Sequence, residues 1–193
     1  MERLFTFWRK YTPIPPTVKT YVEQHAQVKE YPARSYFMRP GERKPYWCLV
    51  LEGMAYGYSF DEAGRQHVYW FALPYQGFIG TRHLYTEAAQ PLYIRFIQPT
   101  QLLLLSAFKA REGKEHFKEL SELMHVLKQQ FIKRNNKLIR ILQEPDLDKR
   151  YASFVSEFPK IERATTAAQQ MAFINMANGS FYRAKNHYLH HKS

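Results

Sequence analysis

The pattern of apolar and polar positions changes its period partway along the chain. From about Tyr31 to Ser106, short runs of aromatic and β-branched residues alternate with polar ones, interrupted by Pro40-Gly41, Glu52-Gly53, Asp61-Glu62-Ala63-Gly64 and Pro74-Tyr75-Gln76-Gly77. Turn signals roughly 8–12 residues apart, with no helical crossover between them, predict an antiparallel roll or barrel. The clearest hairpin pairs Met54–Phe60 with Gln66–Phe71. Gly64 supplies the positive φ that closes such a loop.

Between Glu115 and Leu142 the spacing becomes helical. Phe117, Leu120, Met124, Leu127, Phe131, Leu138 and Ile141 follow a seven-residue repeat broken at Arg134, with no Pro or Gly inside. This predicts one helix of about 28 residues, roughly 42 Å long. That length outruns a small barrel, so the seam points to pairing with a second copy rather than to packing along the helix's own domain. Arg134 would then meet an acceptor or snorkel outward, fixing register.

Glu144-Pro145-Asp146 ends this helix, because the residue before a proline resists helical torsions. From Leu147 to Ser193 the pattern predicts three or four short helices. One covers Leu147–Phe158, and a second starts near Thr166, where Thr166-Ala167-Ala168-Gln169 has the form of a capping box. A third starts near Ser180, with Asn178-Gly179 as the turn and Ser180 as the cap. Helix, short turn, helix is the sequence form of a helix-turn-helix.

Composition narrows the class of protein. The chain has 193 residues, 45% hydrophobic and 16% aromatic, which is a folded rather than a disordered composition. The one cysteine, Cys48, lies within the apolar run Tyr46–Leu51. It allows no intrachain disulfide and fits a reducing, cytoplasmic setting; it reads as a small buried hydrophobe, not a nucleophile. The start, MERLFTFWRKYTP, lacks the form of a secretory signal, and no run approaches the ~18 apolar residues of a membrane span, so no membrane partner is expected. His67 and His83 are the only histidines of the roll and form no His-x-His pair with a following Glu. Neither a metal site nor a catalytic residue is predicted, and no cofactor.

The formal charge of +11 implies a polyanionic partner, nucleic acid first. No acidic residue follows Glu162, whereas Arg163, Arg183, Lys185 and Lys192 do, together with His187, His190 and His191. The C-terminal end is therefore the polyanion-facing part, although His190-His191-Lys192-Ser193 reads equally as a solvated tail.

Three motifs stand in register across residues 37–65: Phe37-Met38-Arg39-Pro40-Gly41-Glu42, Tyr46-Trp47-Cys48-Leu49-Val50-Leu51-Glu52-Gly53 and Asp61-Glu62-Ala63-Gly64-Arg65. With the order roll, long helix, helix-turn-helix, they make the chain resemble the Crp/Fnr-type transcription regulators. The resemblance implies an α+β fold: an antiparallel, cyclic-nucleotide-binding-like jelly roll with N-terminal helices over 1–114, a dimerisation helix over 115–143, and a helix-turn-helix DNA-binding domain over 144–193. It also implies a homodimer that senses a small-molecule effector in the roll and reads a two-fold DNA site.

The effector cassette departs from the family pattern. In members that bind cyclic nucleotide, a Gly-Glu pair and a downstream arginine hold ribose and phosphate. Here Gly80 matches, Thr81 stands where the glutamate should be, and Gln90 or Pro91 stands where the arginine should be. Without the guanidinium the bidentate phosphate contact is lost, so neither cyclic AMP nor cyclic GMP is an expected ligand. Arg82, one residue along, either recovers an anion site or is simply solvated. The candidate ligand-binding set is Phe78, Gly80, Thr81, Arg82 and Gln90, for an unidentified effector; Phe78, with Tyr69 and Phe71, equally fits a filled core.

In the helix-turn-helix, Ile174, Met176, Phe181 and Ala184 fill the apolar positions, and Arg183 matches the arginine of the family's Ser-Arg pair. Ser180, Arg183 and Lys185 are the candidate DNA-binding residues, Arg183 for a guanine edge and Lys185 for a phosphate. Met171 replaces a small residue, Tyr182 the serine, and Asn175 the turn glycine, the last a mild change because Asn tolerates the left-handed region. Two readings follow. One is a ligand-responsive, DNA-binding regulator; the other is a dimeric ligand-sensing or protein-binding module whose helix-turn-helix no longer binds DNA.

Overall fold

A computed structural model describes residues 1–190; the last three positions of the basic tail, His191, Lys192 and Ser193, lie outside the described residues. Two helices open the chain, α1 (Glu2–Trp8) and α2 (Pro16–His25). Pro16 sits in the first turn of α2, where a missing N–H costs nothing. Eight strands follow: β1 (Ala26–Tyr31), β2 (Tyr36–Met38), β3 (Tyr46–Glu52), β4 (Ala55–Phe60), β5 (Gln66–Ala72), β6 (Gly77–Ile79), β7 (Tyr93–Phe96) and β8 (Thr100–Ser106). They form two four-stranded sheets, ordered β1-β8-β3-β6 and β2-β7-β4-β5. Pairs β1·β8, β2·β7, β3·β6 and β3·β8 are all antiparallel. Helices complete the chain: α3 (Ala107–His116), α4 (Lys118–Gln143), α5 (Leu147–Glu157), α6 (Pro159–Ala164), α7 (Ala167–Ile174) and α8 (Asn178–His190). The α+β order is the expected one, an antiparallel roll followed by helices.

The chain divides into two compact units: Met1–Gly57 with Phe71–Phe131, and Tyr58–Trp70 with the residues from Ile132 on. In the first, β3 and β8 are buried along almost their whole length. Alternation explains this, because successive side chains leave a strand on opposite faces. Trp47, Leu49, Leu51, Leu103 and Leu105 join Leu4, Phe5, Trp8, Val18 and Val22 of the N-terminal helices in one cluster, and Leu120, Leu123 and Leu127 of α4 complete it. Cys48, Val50, Leu102 and Leu104, on the other face, are equally buried. A sheet covered on both sides reads as a continuous apolar run. Cys48 is inaccessible, and burial pushes its thiol well up.

The turns carry the motifs. Gly41, Gly53 and Gly64 all have positive φ. Gly53 also admits no side chain, since a Cβ there would lie 2.5 Å from both the Pro99 carbonyl oxygen and Thr100 Oγ1. In the hairpin joining β4 to β5, Asp61 accepts from the Arg65 backbone N–H at 2.8 Å and lies 3.1 Å from His67 Nε2. His67 first, then Arg65, hold its carboxyl far below the usual range.

Four expectations need correction. The strands begin at Ala26, not near Tyr31. The long helix is not continuous from Glu115: α3 ends at His116, and Phe117 is extended (φ −125°, ψ 111°) before α4 begins. Packing causes the break, as a Cβ on Gly113 would meet Leu120 at 2.5 Å and Tyr21 at 2.7 Å, and the Phe117 ring lies 5.0 Å from Tyr21. The seam differs as well. Leu120, Leu127, Leu138 and Ile141 are buried within this chain, leaving Phe131, Ile132 and Ile139 as the large apolar side chains exposed along α4. Finally, α8 starts at Asn178, so Asn178-Gly179-Ser180 is helical rather than a turn with Ser180 as its cap.

Candidate nucleic-acid interface and ligand site

Helix α7 starts as its sequence predicts. Thr166 Oγ1 accepts from the Gln169 N–H at 3.3 Å, and Gln169 Oε1 accepts from the Thr166 N–H at 3.0 Å, a complete capping box. It ends at Asn175, which is left-handed (φ 51°, ψ 57°), with the Asn175 and Met176 N–H groups both donating to the Met171 carbonyl. Asparagine thus fills the place of a turn glycine. After Ala177 the chain is helical again as α8.

The apolar positions Ile174, Met176, Phe181 and Ala184 are all buried. Phe181 is fully enclosed, edge-on to Tyr151 of α5 at 5.3 Å between ring centroids, and Tyr188, two turns along on the same face, also meets Tyr151 at 5.8 Å. Met171 is only half-buried, so its bulk is accommodated at the edge of the core rather than inside it.

The outer face of α8 carries Tyr182, Arg183, Asn186 and Leu189. Of the predicted DNA-binding residues, Arg183 is exposed on this face, whereas Ser180 and Lys185 are half-buried. Lys185 lies about 200° around the helix from Arg183, so the two do not share a face. Sequence reasoning passed over Tyr182 and Asn186. Their signal was the helical spacing from Arg183, one position back and three forward, and an exposed Asn offers the paired donor and acceptor that match an adenine edge.

In the roll, Gly80 is sterically required, because a Cβ would lie 2.1 Å from the Lys44 carbonyl oxygen. Its N–H donates to the Tyr46 carbonyl at 3.0 Å. Thr81 is fully buried and donates to the His83 carbonyl at 3.0 Å. Arg82 is exposed, with its backbone N–H donating to the Ala88 carbonyl and its Nε to the Ala89 carbonyl. The Gln90 side-chain amide donates to the carbonyls of both Ile79 and Thr81. The loop from Gly80 to Gln90 therefore brings Gly80, Thr81 and Gln90 together around internal hydrogen bonds. Phe78 stands apart, buried edge-on against Phe37 at 5.5 Å. Phe71 is likewise buried, but Tyr69 is exposed.

The polar groups this loop turns inward are acceptors, and Gln90 satisfies them from within the chain. Two carbonyl oxygens converge on one amide, and nothing but a donor satisfies them. An anion set there would face oxygen dipoles of its own sign. No helix among the described residues is long and apolar enough to cross a membrane, and no group of three or more His, Cys, Asp or Glu side chains among them is placed to hold a metal ion.

No family model matches the chain, and no curated protein matches it by sequence. Its structure is similar to FixK2 from Bradyrhizobium japonicum, with a TM-score of 0.69 and 16% identity over 86% of this chain and 85% of that one. It is similar to CLP from Xanthomonas campestris, described as a c-di-GMP-responsive global regulator, with a TM-score of 0.70 and 13% identity over 92% and 93% of the two chains. It is also similar to TTHB099, a CRP-family transcriptional regulator from Thermus thermophilus, with a TM-score of 0.69 and 14% identity over 85% of each chain. Identities this low speak for the architecture alone, and the fold of this chain is that of the Crp/Fnr-type transcriptional regulators.

Proposed function

We propose that this chain is a homodimeric, DNA-binding transcriptional regulator of Crp/Fnr type whose roll does not respond to cyclic AMP. The observation carrying this reading is the α7–turn–α8 geometry. A capped helix, a left-handed turn at Asn175 and a second helix anchored by Phe181 present Arg183, Tyr182 and Asn186 outward. This face belongs to a segment with no acidic residue after Glu162. The chain's +11 charge supplies the salt-dependent, sequence-independent part of the binding, and the face of α8 reads bases. In this reading the roll covers 1–114, the dimerisation helix 115–143 and the DNA-binding domain 144–193.

A salt titration on random duplex tests the electrostatic part: log affinity should fall linearly with log salt, with a slope of several units. Arg183→Ala should relax preference at one base position by about 1–3 kcal/mol while leaving the salt slope nearly unchanged. Unaltered specificity would remove Arg183 from the base-reading role.

The exposed Tyr182 and Leu189, 47% and 53% accessible, favour a second reading in which the same face docks a protein. A flat salt dependence would support it.

For the roll, the bonding of Gln90 is the support. Cyclic AMP would have to displace an amide from two carbonyls and receives no guanidinium in return. Calorimetric titration with cyclic AMP should show no affinity tighter than about 1 mM, and micromolar binding would overturn this part of the reading.

A further inference from the structure

We propose that Arg150 is a positioning residue: one guanidinium ties the chain leaving α4 to the turn that launches α8, and so fixes where α8 lies relative to the end of α4. Its Nε and Nη2 donate to the Glu144 carbonyl at 2.9 and 2.7 Å, and its Nη1 donates to the Asn175 carbonyl at 3.2 Å. Glu144 immediately follows α4, and Asn175 is the left-handed residue ending α7. Helix ends leave carbonyls without intrahelical partners, so both positions call for a donor. The planar fork of an arginine reaches two such carbonyls at once. A lysine, with a single compact ammonium, holds one well and not the pair.

The same turn of α5 holds the other end of α8. Asp146 caps α5, accepting from the Asp148 and Lys149 N–H groups at 2.9 and 3.2 Å. Asp148 Oδ2 lies 3.0 Å from His187 Nδ1 near the end of α8. Between these two polar ties α8 rests on ring contacts with Tyr151. Apolar contact is non-directional, so the hydrogen bonds decide the register in which α8 sits. In a dimer paired along α4, that register sets the separation of the two α8 helices and hence the half-site spacing accepted. This consequence rests on the DNA-binding reading above; the clasp itself does not.

The test uses the full chain and its Arg150→Lys and Arg150→Ala variants. Hydrogen exchange should quicken roughly tenfold in both the 144–150 and 175–178 segments of Arg150→Lys, although they are distant in sequence. On duplexes carrying two half-sites at graded separations, the same variant should accept a broader range of spacings with an unchanged salt slope. A merely structural role would lower affinity for every spacing alike. Unchanged exchange at 175–178, or uniform loss of affinity without broadening, would overturn the proposal. If the native chain binds no duplex, the DNA reading fails and the exchange result alone decides the clasp. Arg150→Lys keeps the charge and stem, so it stands should Arg150→Ala not fold.

Discussion

Phe181→Ala is expected to unfold the C-terminal helices under conditions where the native chain is intact. The ring is wholly buried and edge-on to Tyr151, which in turn lies 6.3 Å from Phe154; Phe154, Phe158 and Phe173 continue the contacts, with Phe158 and Phe173 5.6 Å apart. Removing one ring from such a chain leaves a cavity that close-packed neighbours refill only in part, at a cost of about 3–5 kcal/mol. Domains are commonly stable by only about 5–15 kcal/mol, so much of the margin disappears. Hydrogen exchange across α5, α7 and α8 reads the result directly, and loss of duplex binding should follow it. The neighbouring Tyr182, 47% accessible, is the control: it loses only an edge contact with Phe181 at 5.5 Å, so Tyr182→Ala should cost no more than about 1.5 kcal/mol. Equal effects at the two positions would mean that the ring cluster does not organise these helices.

What the sequence made legible follows from how local the determining physics is. The three turn glycines, the capping box at Thr166 and the left-handed Asn175 were all readable, because each depends on a few neighbouring residues. The β-roll was readable from its turns, yet β1 was missed. Its residues from Gln27 to Glu30 are all exposed, three of the four are polar, and only pairing with β8, Val28 opposite Leu103, makes it a strand. The break at Phe117 was hidden for the same reason, since the apolar repeat counts Phe117 as its first position, no Pro or Gly marks a stop there, and Tyr21, almost a hundred residues earlier, packs against it. Helical periodicity located α4 but did not say which copy its leucines would face. In the candidate sites, the residue types at Thr81 and Gln90 supply the expectation of no anion contact, whereas the pairing of Gln90 with two carbonyls and the contacts of Arg150 with Glu144 and Asn175 are not readable from neighbouring residues.

Replacing both Ile132 and Ile139 by glutamate should convert a dimer into a monomer. These side chains, 39% and 42% exposed one heptad apart on α4, are with Phe131 the apolar surface left after Leu120, Leu127, Leu138 and Ile141 are spent inside the chain. Burying the remaining area of each stabilises by roughly 1 kcal/mol, about 4 per dimer, and a glutamate in the same place adds an unpaired charge costing several more. The helix has no acidic residue between Glu122 and Glu144, and Lys128, Lys133 and Arg140 are exposed on it. Pairing two copies therefore brings like charges together, and added salt should strengthen the dimer by screening them. Duplex binding has the opposite salt dependence, so the two equilibria can be separated in one titration. Sedimentation velocity should give twice the 23.1 kDa of the chain for the native protein and a single chain for the variant. With one reading helix in place of two, affinity for a two-fold duplex should fall on the order of 100-fold or more, while helix content stays the same. A variant that still sediments as a dimer would show that the copies meet through another surface, and a native monomer would leave each α8 to bind alone.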